Sequence, residues 1–214
     1  MPEKTVQKEP GKKPAPSKKP KPQQEVVVQI PLSELHPFPE HPFQLREDAS
    51  MQETAESVKE YGVLVPALAR PREDGGYELI AGHRRKHACE LAGLATMPVI
   101  VRDIDRDAAT IIMVDSNLQR ENILPSERAK AYKMKMEAIK RQGARTDLTS
   151  PKISAKFRSD DEVGQDAGVS GDTIRNYIAL TQLVPELQQM VDEKKIALSP
   201  AYQIAALTPK EQGL

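Results

Sequence analysis

Short apolar runs separated by proline and glycine occupy the chain between residues 25 and 124. Runs of this length that are rich in Val and Ile predict strands. The predicted strands cover residues 26–30, 64–69, 77–80 and 97–101. The first run, VVVQI, is almost wholly apolar and is followed by Pro31, which predicts a buried strand that ends at the proline.

Helical spacing fills the intervals between these strands. The predicted helices are one that begins at the capping-box pair Ser50 and Glu53 and ends at Gly62, one that follows Gly82 and ends at Gly93, and one over residues 107–117. Residues 36–47 contain three prolines and predict a loop. Strands and helices with short connections predict an α+β domain with a small mixed sheet over residues 25–124.

The second part of the chain has only helical patterns. Pro125 suits the first position of a helix, and the apolar residues after it follow helical spacing: Ala129, Tyr132, Met136 and Ile139. Residues 143–158 form a polar, basic connector, and helical patterns then continue to about Leu207. We therefore predict an all-α domain over residues 125–214, with the domain boundary near 122–125.

Residues 162–180 (EVGQDAGVSGDTIRNYIAL) have the pattern of a helix-turn-helix. Gly168 suits the turn, Gly164 is the small residue where two helices pack closely, and Ser170 can cap the second helix. The positions expected to be buried are all apolar or aromatic: Val163, Ala167, Val169, Ile174 and Tyr177. An ordinary αα-hairpin in a helical domain is the alternative interpretation.

If this motif binds DNA, residues 171–183 form the recognition helix in the major groove. Its candidate contacts are Ser170, Asp172, Thr173, Arg175 and Asn176. Bidentate Arg side chains prefer guanine and bidentate Asn side chains prefer adenine. Lys156 and Arg158, just before the motif, are better suited to phosphates.

Charge is unevenly distributed, although the formal net charge of the chain is zero. Residues 1–24 hold seven Lys and two Glu, are rich in Pro and lack apolar periodicity, which predicts a disordered basic arm. Residues 125–158 hold ten Lys or Arg and three acidic residues. This local excess suggests contact with a polyanion, although a solvated helix face would show the same pattern.

Several classes of protein are excluded by composition. No apolar run approaches the roughly 20 residues of a membrane span, and the basic N-terminus lacks the apolar stretch of a secretory signal. The single cysteine, Cys89, excludes an internal disulfide framework and a thiol-rich metal site. We therefore expect a soluble protein of the reducing cytoplasm, without a membrane partner.

The segment from Gly82 to Arg85 predicts an anion site, because it follows a strand and opens a helix. Helix N-termini present unpaired N–H groups, and Arg84 and Arg85 add charged donors suited to a nucleoside triphosphate. Solvated arginines on a surface helix are the alternative.

Residues 117–120 end a predicted helix and could face the same anion site. Asp115 could reach a metal ion there, although polar capping of the helix end would explain the segment equally well. His83 and His87 are four residues apart and could share a metal, but the sequence shows no third strong ligand. Cys89 suits a small buried residue better than a nucleophile.

Four stretches, in order, resemble the ParB family of partition proteins. They are VVVQIPLSEL (26–35), YGVLVPA (61–67), AGHRRKHA (81–88) and SNLQRENILPS (116–126), and the helix-turn-helix follows where the family has its DNA-binding motif. The resemblance covers about residues 25–207. Four motifs in order are far more specific than any one of them.

The resemblance implies that the N-terminal domain binds CTP with a divalent metal such as Mg²⁺. On that pattern Gly82, His83, Arg84 and Arg85 lie at the phosphates. Asn117 helps to hold the metal, Gln119 and Arg120 lie nearby, and Gly62 and Pro66 shape the nucleobase edge. The resemblance also implies a nucleoid-associated homodimer that binds a palindromic double-stranded DNA site. A Walker-type ATPase is the implied partner in segregation of chromosomes, plasmids or mobile elements.

Three positions depart from the family pattern. His83 and Ser116 replace glutamates near the phosphates and metal, and Val65 replaces a glutamine of the nucleobase segment. Because carboxylates hold Mg²⁺ or position an attacking water, we expect CTP hydrolysis to be weak or absent. The sequence also shows no C-terminal dimerisation domain, which suggests a fragment of a longer protein.

Other functions fit parts of the sequence. A transcription regulator of a mobile element would share the helix-turn-helix. ParB-like domains are similar to sulfiredoxin, so a nucleotide-dependent enzyme on the same scaffold is a further alternative, although it leaves the helix-turn-helix unexplained. A nuclease would need a carboxylate cluster that the sequence does not show.

Overall fold

The computed structural model describes residues 25–120, 122–147 and 159–213. Its first part contains a five-stranded sheet. The strands are β1 (Val27–Pro31), β2 (Leu35–Pro37), β3 (Ala67–Pro71), β4 (Tyr77–Ala81) and β5 (Thr96–Val101). Their spatial order is β1-β5-β3-β4-β2, with antiparallel β1–β5 and β3–β4 pairs and parallel β3–β5 and β2–β4 pairs. The prediction of a small mixed sheet is confirmed.

Helices cover both faces of this sheet. They are α1 (Ala49–Tyr61), α2 (His83–Leu91), α3 (Arg106–Leu118) and α4 (Pro125–Asp147). Helices α1 and α2 pack on one face through side chains such as Met51 and Cys89, and α3 and α4 pack on the other around Ile80. Because consecutive strand residues point to opposite faces, Leu79 and Ile80 of β4 belong to different cores.

The described residues after α4 are helical, which confirms the predicted all-α region. They form α5 (Ser159–Ala167), α6 (Gly171–Ala179), α7 (Pro185–Asp192), α8 (Leu198–Ile204) and α9 (Pro209–Gln212). Among the described residues, no helix is both long enough and apolar enough to cross a membrane.

Helix α4 contributes to the cores on both sides of the predicted domain boundary. Its Ala131 packs with Met113 of α3, while its Tyr132 packs with Val163 of α5 and Ile174 of α6. Ser126 at its start donates from its backbone N–H to Asp192 of α7 over 2.9 Å. The α+β part and the helix-turn-helix are therefore joined by one shared helix.

Two local predictions are wrong. The first strand is not buried, because β1 lies at the sheet edge: Val27 and Val28 are exposed and only Ile30 is buried. The cap of α1 is Asp48, whose side chain accepts the Met51 N–H over 2.9 Å. Ser50 lies inside that helix instead.

Two boundaries also move. The strand predicted over 64–69 is β3, which begins at Ala67, and the helix predicted over 171–183 ends as α6 at Ala179 and continues as a 3-10 turn over Leu180–Gln182. The predicted basic arm over residues 1–24 lies outside the described residues, and so does most of the predicted connector.

Candidate functional site

The turn from β4 into α2 requires glycine at position 82. Gly82 has a φ of +111°, and a Cβ there would lie 2.8 Å from the Cβ of Ala67 on β3. Its carbonyl accepts the Lys86 N–H over 2.9 Å, which starts the helix. The remaining N–H groups of the first turn have no partner within the helix, so this helix start can bind an anion.

A polar cleft lies beside this helix start, and three arginines line it. We call it the arginine cleft; its volume is about 390 Å³, and it is lined by Phe43, Gln44, Arg46, Asp48, Ser50, Arg84, Arg120, Asn122, Ile123 and Glu127. Arg84 donates to Ser50 Oγ over 3.2 Å and to Asp48 Oδ1 over 3.4 Å. Partial burial and the nearby positive charge of Arg84 lower the pKa of Arg120. Because these cations repel one another, a polyanion in the cleft would be stabilised.

Arg85 points to a different place from Arg84. Its Nη1 donates to the carbonyl oxygens of Val65 and Pro66 over 2.5 and 2.6 Å. Arg85 therefore holds the 62–66 segment against α2.

Gly62 and Arg85 line a second cleft of about 380 Å³, which shares Ser50 with the arginine cleft. Leu64 and Val65 also line it and are largely exposed. Of the predicted phosphate and nucleobase residues, Arg84 and Arg120 therefore line one cleft, and Gly62 and Arg85 line the adjoining one.

His83, the first residue of α2, packs against His41 from the loop before α1. The ring centroids are 4.2 Å apart. Burial, with smaller effects of His41 and Arg120, lowers the pKa of His83 to about 3. His83 is therefore neutral at neutral pH, and within the described part of the chain its Nε2 has no hydrogen-bond partner.

The three site residues predicted at the end of α3 do not lie in the same cleft. Asn117 is buried, and its side-chain nitrogen donates to the Met113 carbonyl over 2.7 Å. Gln119 lines a third cleft, together with Arg128 of α4 and Asp166 of α5. Arg120 alone of these three lines the arginine cleft.

The clefts suit a polyphosphate better than they suit a metal ion. In residues 25–120, 122–147 and 159–213, no group of three or more His, Cys, Asp or Glu side chains could hold a metal. Asp115 pairs instead with Lys135 over 2.7 Å. Asn117 is the remaining predicted ligand, and a single amide does not make a Mg²⁺ site without phosphate and water oxygens.

The helix-turn-helix has the close packing that its glycines predict. A Cβ on Gly164 would lie 2.6 Å from the Val169 carbonyl oxygen, and Gly168 has a φ of +68° in the turn. Val163 and Ile174 are fully buried, whereas Tyr177 is half-buried. The hairpin therefore leaves little room between its helices.

The predicted DNA contacts lie at the start of α6. Ser170 caps the helix, because its Oγ accepts the Thr173 N–H over 3.2 Å. Thr173 is half-buried, and Arg175 and Asn176 are exposed. Arg175 contacts the carboxylates of Asp160 and Asp172. The two predicted phosphate contacts, Lys156 and Arg158, lie outside the described residues.

Comparison with known families accounts for both parts of the chain. The profile of the ParB N-terminal domain matches residues 16–118, and that of the ParB HTH domain matches residues 151–214. The chain belongs to the ParB family. The resemblance inferred from four short motifs is confirmed.

Two curated relatives align with most of this chain. The chromosome-partitioning protein Spo0J of Thermus thermophilus is 34% identical over 187 residues, covering 87% of this chain and 62% of the relative. Stage 0 sporulation protein J of Bacillus subtilis is 30% identical over 189 residues, covering 88% and 61%. The chain thus spans less than two thirds of these relatives.

A solved ParB structure has the same fold. It is the C-terminally truncated ParB of Caulobacter crescentus complexed to the centromeric parS site, with a TM-score of 0.55 and 27% identity, covering 86% of this chain and 88% of that one.

The sequence patterns did not reveal the part of the site that comes from distant segments. Glu127 of α4 is buried and accepts the Gln44 N–H over 3.0 Å and the Leu124 N–H over 3.1 Å. It holds the loop before α1 against the start of α4, at the edge of the arginine cleft. A signal existed, because Glu127 directly follows the last ParB motif. His41 and Asp48 lie in that loop and had no comparable signal.

Proposed function

We propose that this ParB-family chain is a sequence-specific DNA-binding protein of the partition type, acting in segregation of a chromosome, plasmid or mobile element. The observation that carries the proposal is the rigid helix-turn-helix, whose second helix packs its apolar face on α4 and exposes Arg175 and Asn176. The Caulobacter relative of the same fold is bound to its centromeric site. A helix exposed in this way can enter the major groove.

The arginine cleft supports binding of a nucleoside triphosphate. Arg84 and Arg120 would contact the phosphates together with the start of α2 at Gly82, and the cleft beside Gly62 and Pro66 would take the base. CTP with Mg²⁺ is the ligand that the family resemblance implies. Asn117 would be the protein's contribution to the metal, and the phosphates would supply the other oxygens.

Hydrolysis of this nucleotide is expected to be slow or absent. His83 is neutral and half-buried where the family has a carboxylate, and Ser116 replaces the second one. Neither side chain is a strong base at neutral pH. We therefore propose that the nucleotide acts mainly as a ligand that switches the conformation of the protein. We do not expect it to act as a substrate that is turned over rapidly.

The proposal includes partners. A palindromic DNA site calls for two copies of the recognition helix, so the chain is proposed to act as a homodimer on the nucleoid in the cytoplasm. A Walker-type ATPase is the proposed partner in segregation. Cys89 gives no support to an enzyme of the sulfiredoxin type, because it is fully buried and burial raises the pKa of its thiol.

The recognition helix is tested by a gel shift with a duplex selected from a random pool. We expect the double variant Arg175→Ala and Asn176→Ala to lose about tenfold or more in affinity for that duplex, because each bidentate base contact supplies about 1–3 kcal/mol of discrimination. Lys210→Ala, which removes an exposed cation from α9, is the matched control and should bind normally. Unchanged binding by the double variant would rule out α6 as the recognition helix.

The nucleotide site is tested by calorimetry with CTP and with ATP, each with Mg²⁺, in the presence and absence of DNA. We expect uptake that Arg84→Ala and Arg120→Ala weaken, since both cations line the arginine cleft. Arg72→Ala removes a surface cation paired with Asp74 and should leave uptake unchanged. No heat with either nucleotide under any condition would contradict the proposal.

A further inference from the structure

The helix-turn-helix is acidic, which is unusual for a surface proposed to bind DNA. Residues 159–180 contain five acidic residues and one basic residue, Arg175. Nonspecific affinity for DNA comes mainly from cations that neutralise phosphates. The single arginine of this hairpin therefore contributes to DNA binding in some other way than by bulk charge.

Arg175 lies between two carboxylates. One terminal nitrogen of its guanidinium donates to Asp160 in the first turn of α5, and the other donates to Asp172 in the first turn of α6. The Asp160 side chain is 12% exposed, whereas that of Asp172 is 79% exposed. Asp160 is thus the partner that the fold itself holds in place.

The starts of α5 and α6 are packed too closely to shift independently. A Cβ on Gly171 would lie 2.2 Å from Oδ1 of Asp161, the residue after Asp160. Further along α5, a Cβ on Gly164 would lie 2.6 Å from the Val169 carbonyl oxygen in the turn. Because the two helices are in close contact at both points, the Asp160 carboxylate keeps its position relative to Arg175.

The local charge decides which part of DNA Arg175 can contact. The Arg175 guanidinium is already paired with two carboxylates, which weakens its attraction for a phosphate. A guanine edge is neutral and presents two acceptors, O6 and N7. A guanidinium carries five N–H donors, so contacts with two carboxylates leave donors for that edge.

We propose that Asp160 is a positioning residue that holds Arg175 for a guanine edge in the major groove, so that Arg175 supplies base discrimination and little phosphate affinity. This inference rests on the proposed DNA-binding function. It assigns the structural origin of specificity to an ion pair between the two helices of the motif.

The test uses the full 214-residue chain. Duplexes are selected from a randomised pool, and affinity is then measured over a range of salt for the selected duplex and for a shuffled duplex of the same composition. Arg175→Ala is expected to weaken binding to the selected duplex roughly tenfold or more, with no change in the slope of log affinity against log salt. Repeating the selection with Arg175→Ala should lose a guanine at one position of each half-site.

Asp160→Asn tests the positioning role, with Asp161→Asn as the matched control in the same turn. Asp160→Asn should reduce the affinity ratio of selected to shuffled duplex about tenfold. Asp161→Asn removes the same charge and should raise affinity for both duplexes without changing their ratio. Arg175→Lys, which keeps the charge but loses the planar fork, should also lose discrimination while keeping affinity for the shuffled duplex.

Three outcomes would overturn the inference. A fall of about one in the salt slope for Arg175→Ala would identify a phosphate contact instead. Equal behaviour of Asp160→Asn and Asp161→Asn would leave only a general charge effect. If the unmodified chain enriches no sequence from the pool, the proposed DNA-binding function fails, and the inference fails with it.

Discussion

At the level of single residues, the site depends on positions where the backbone of one segment packs closely against another segment. Gly82 combines a positive φ with a contact that excludes any side chain, because Ala67 of the neighbouring strand occupies the space. Gly82 also precedes the first residue of α2, so it determines where on the helix Arg84 and Arg85 lie. Those two arginines are adjacent in sequence, yet one lines the arginine cleft and the other holds the 62–66 segment.

Replacing Gly82 should therefore destabilise the fold in two ways. We expect Gly82→Ala to lower the free energy of unfolding by about 2–4 kcal/mol, from backbone strain together with the overlap with Ala67. Gly93→Ala is the matched control, because Gly93 has a φ of +72° with no atom within 4 Å of its added Cβ, so it should cost only about 1–2 kcal/mol. Urea unfolding measures both, and equal losses would contradict the role of Ala67.

At the scale of elements, α4 joins the cleft-bearing part to the helix-turn-helix. Its Lys135 is 1% exposed and donates to Asp115 of α3 over 2.7 Å and to Asp166 of α5 over 2.9 Å. Burial opposes the charge of Lys135, but its hydrogen bonds to the two carboxylates outweigh this effect and raise the pKa of the lysine. One buried cation thus connects three helices, and sequence periodicity had no means of pairing them.

Removing the lysine should cost less than removing its partners. After Lys135→Met, water can solvate Asp115 and Asp166, whose side chains are 45% and 56% exposed, so we expect a loss of about 1–3 kcal/mol. The double variant Asp115→Ala and Asp166→Ala leaves an unpaired buried cation and should cost about 3–5 kcal/mol. Chemical denaturation distinguishes them, and a larger loss for Lys135→Met would show that its aliphatic packing dominates.

At the scale of the whole molecule, charge is segregated along the chain. The helix-turn-helix and the helices after it are acidic, while residues 125–158 are strongly basic. Phosphate affinity is therefore expected from the basic segment and base discrimination from α6. The shared helix α4 would give a nucleotide bound in the arginine cleft a physical route to the helix-turn-helix.

The biological assignment is tested by mapping the protein on the genome of its host. A partition protein should occupy one cluster of palindromic sites, because a symmetric pair of recognition helices selects inverted half-sites near one locus. Crosslinking and sequencing of the bound DNA would show this directly, with the Arg175→Ala and Asn176→Ala double variant as the control that should lose the cluster. Occupancy scattered over many promoters would favour a transcription regulator instead.

Features that depend on neighbours along the chain could be predicted from the sequence alone. The α+β class, the helix-turn-helix with Gly164 and Gly168, and the turn at Gly82 all follow from periodicity, caps and backbone freedom, which act within a few residues. The three-dimensional fold was needed to establish that β1 is an exposed edge, that Arg85 donates to backbone carbonyls, and that Glu127 accepts a hydrogen bond from Gln44. Burial and pairing in these cases depend on segments far apart in the chain, and a single sequence does not record which of them meet.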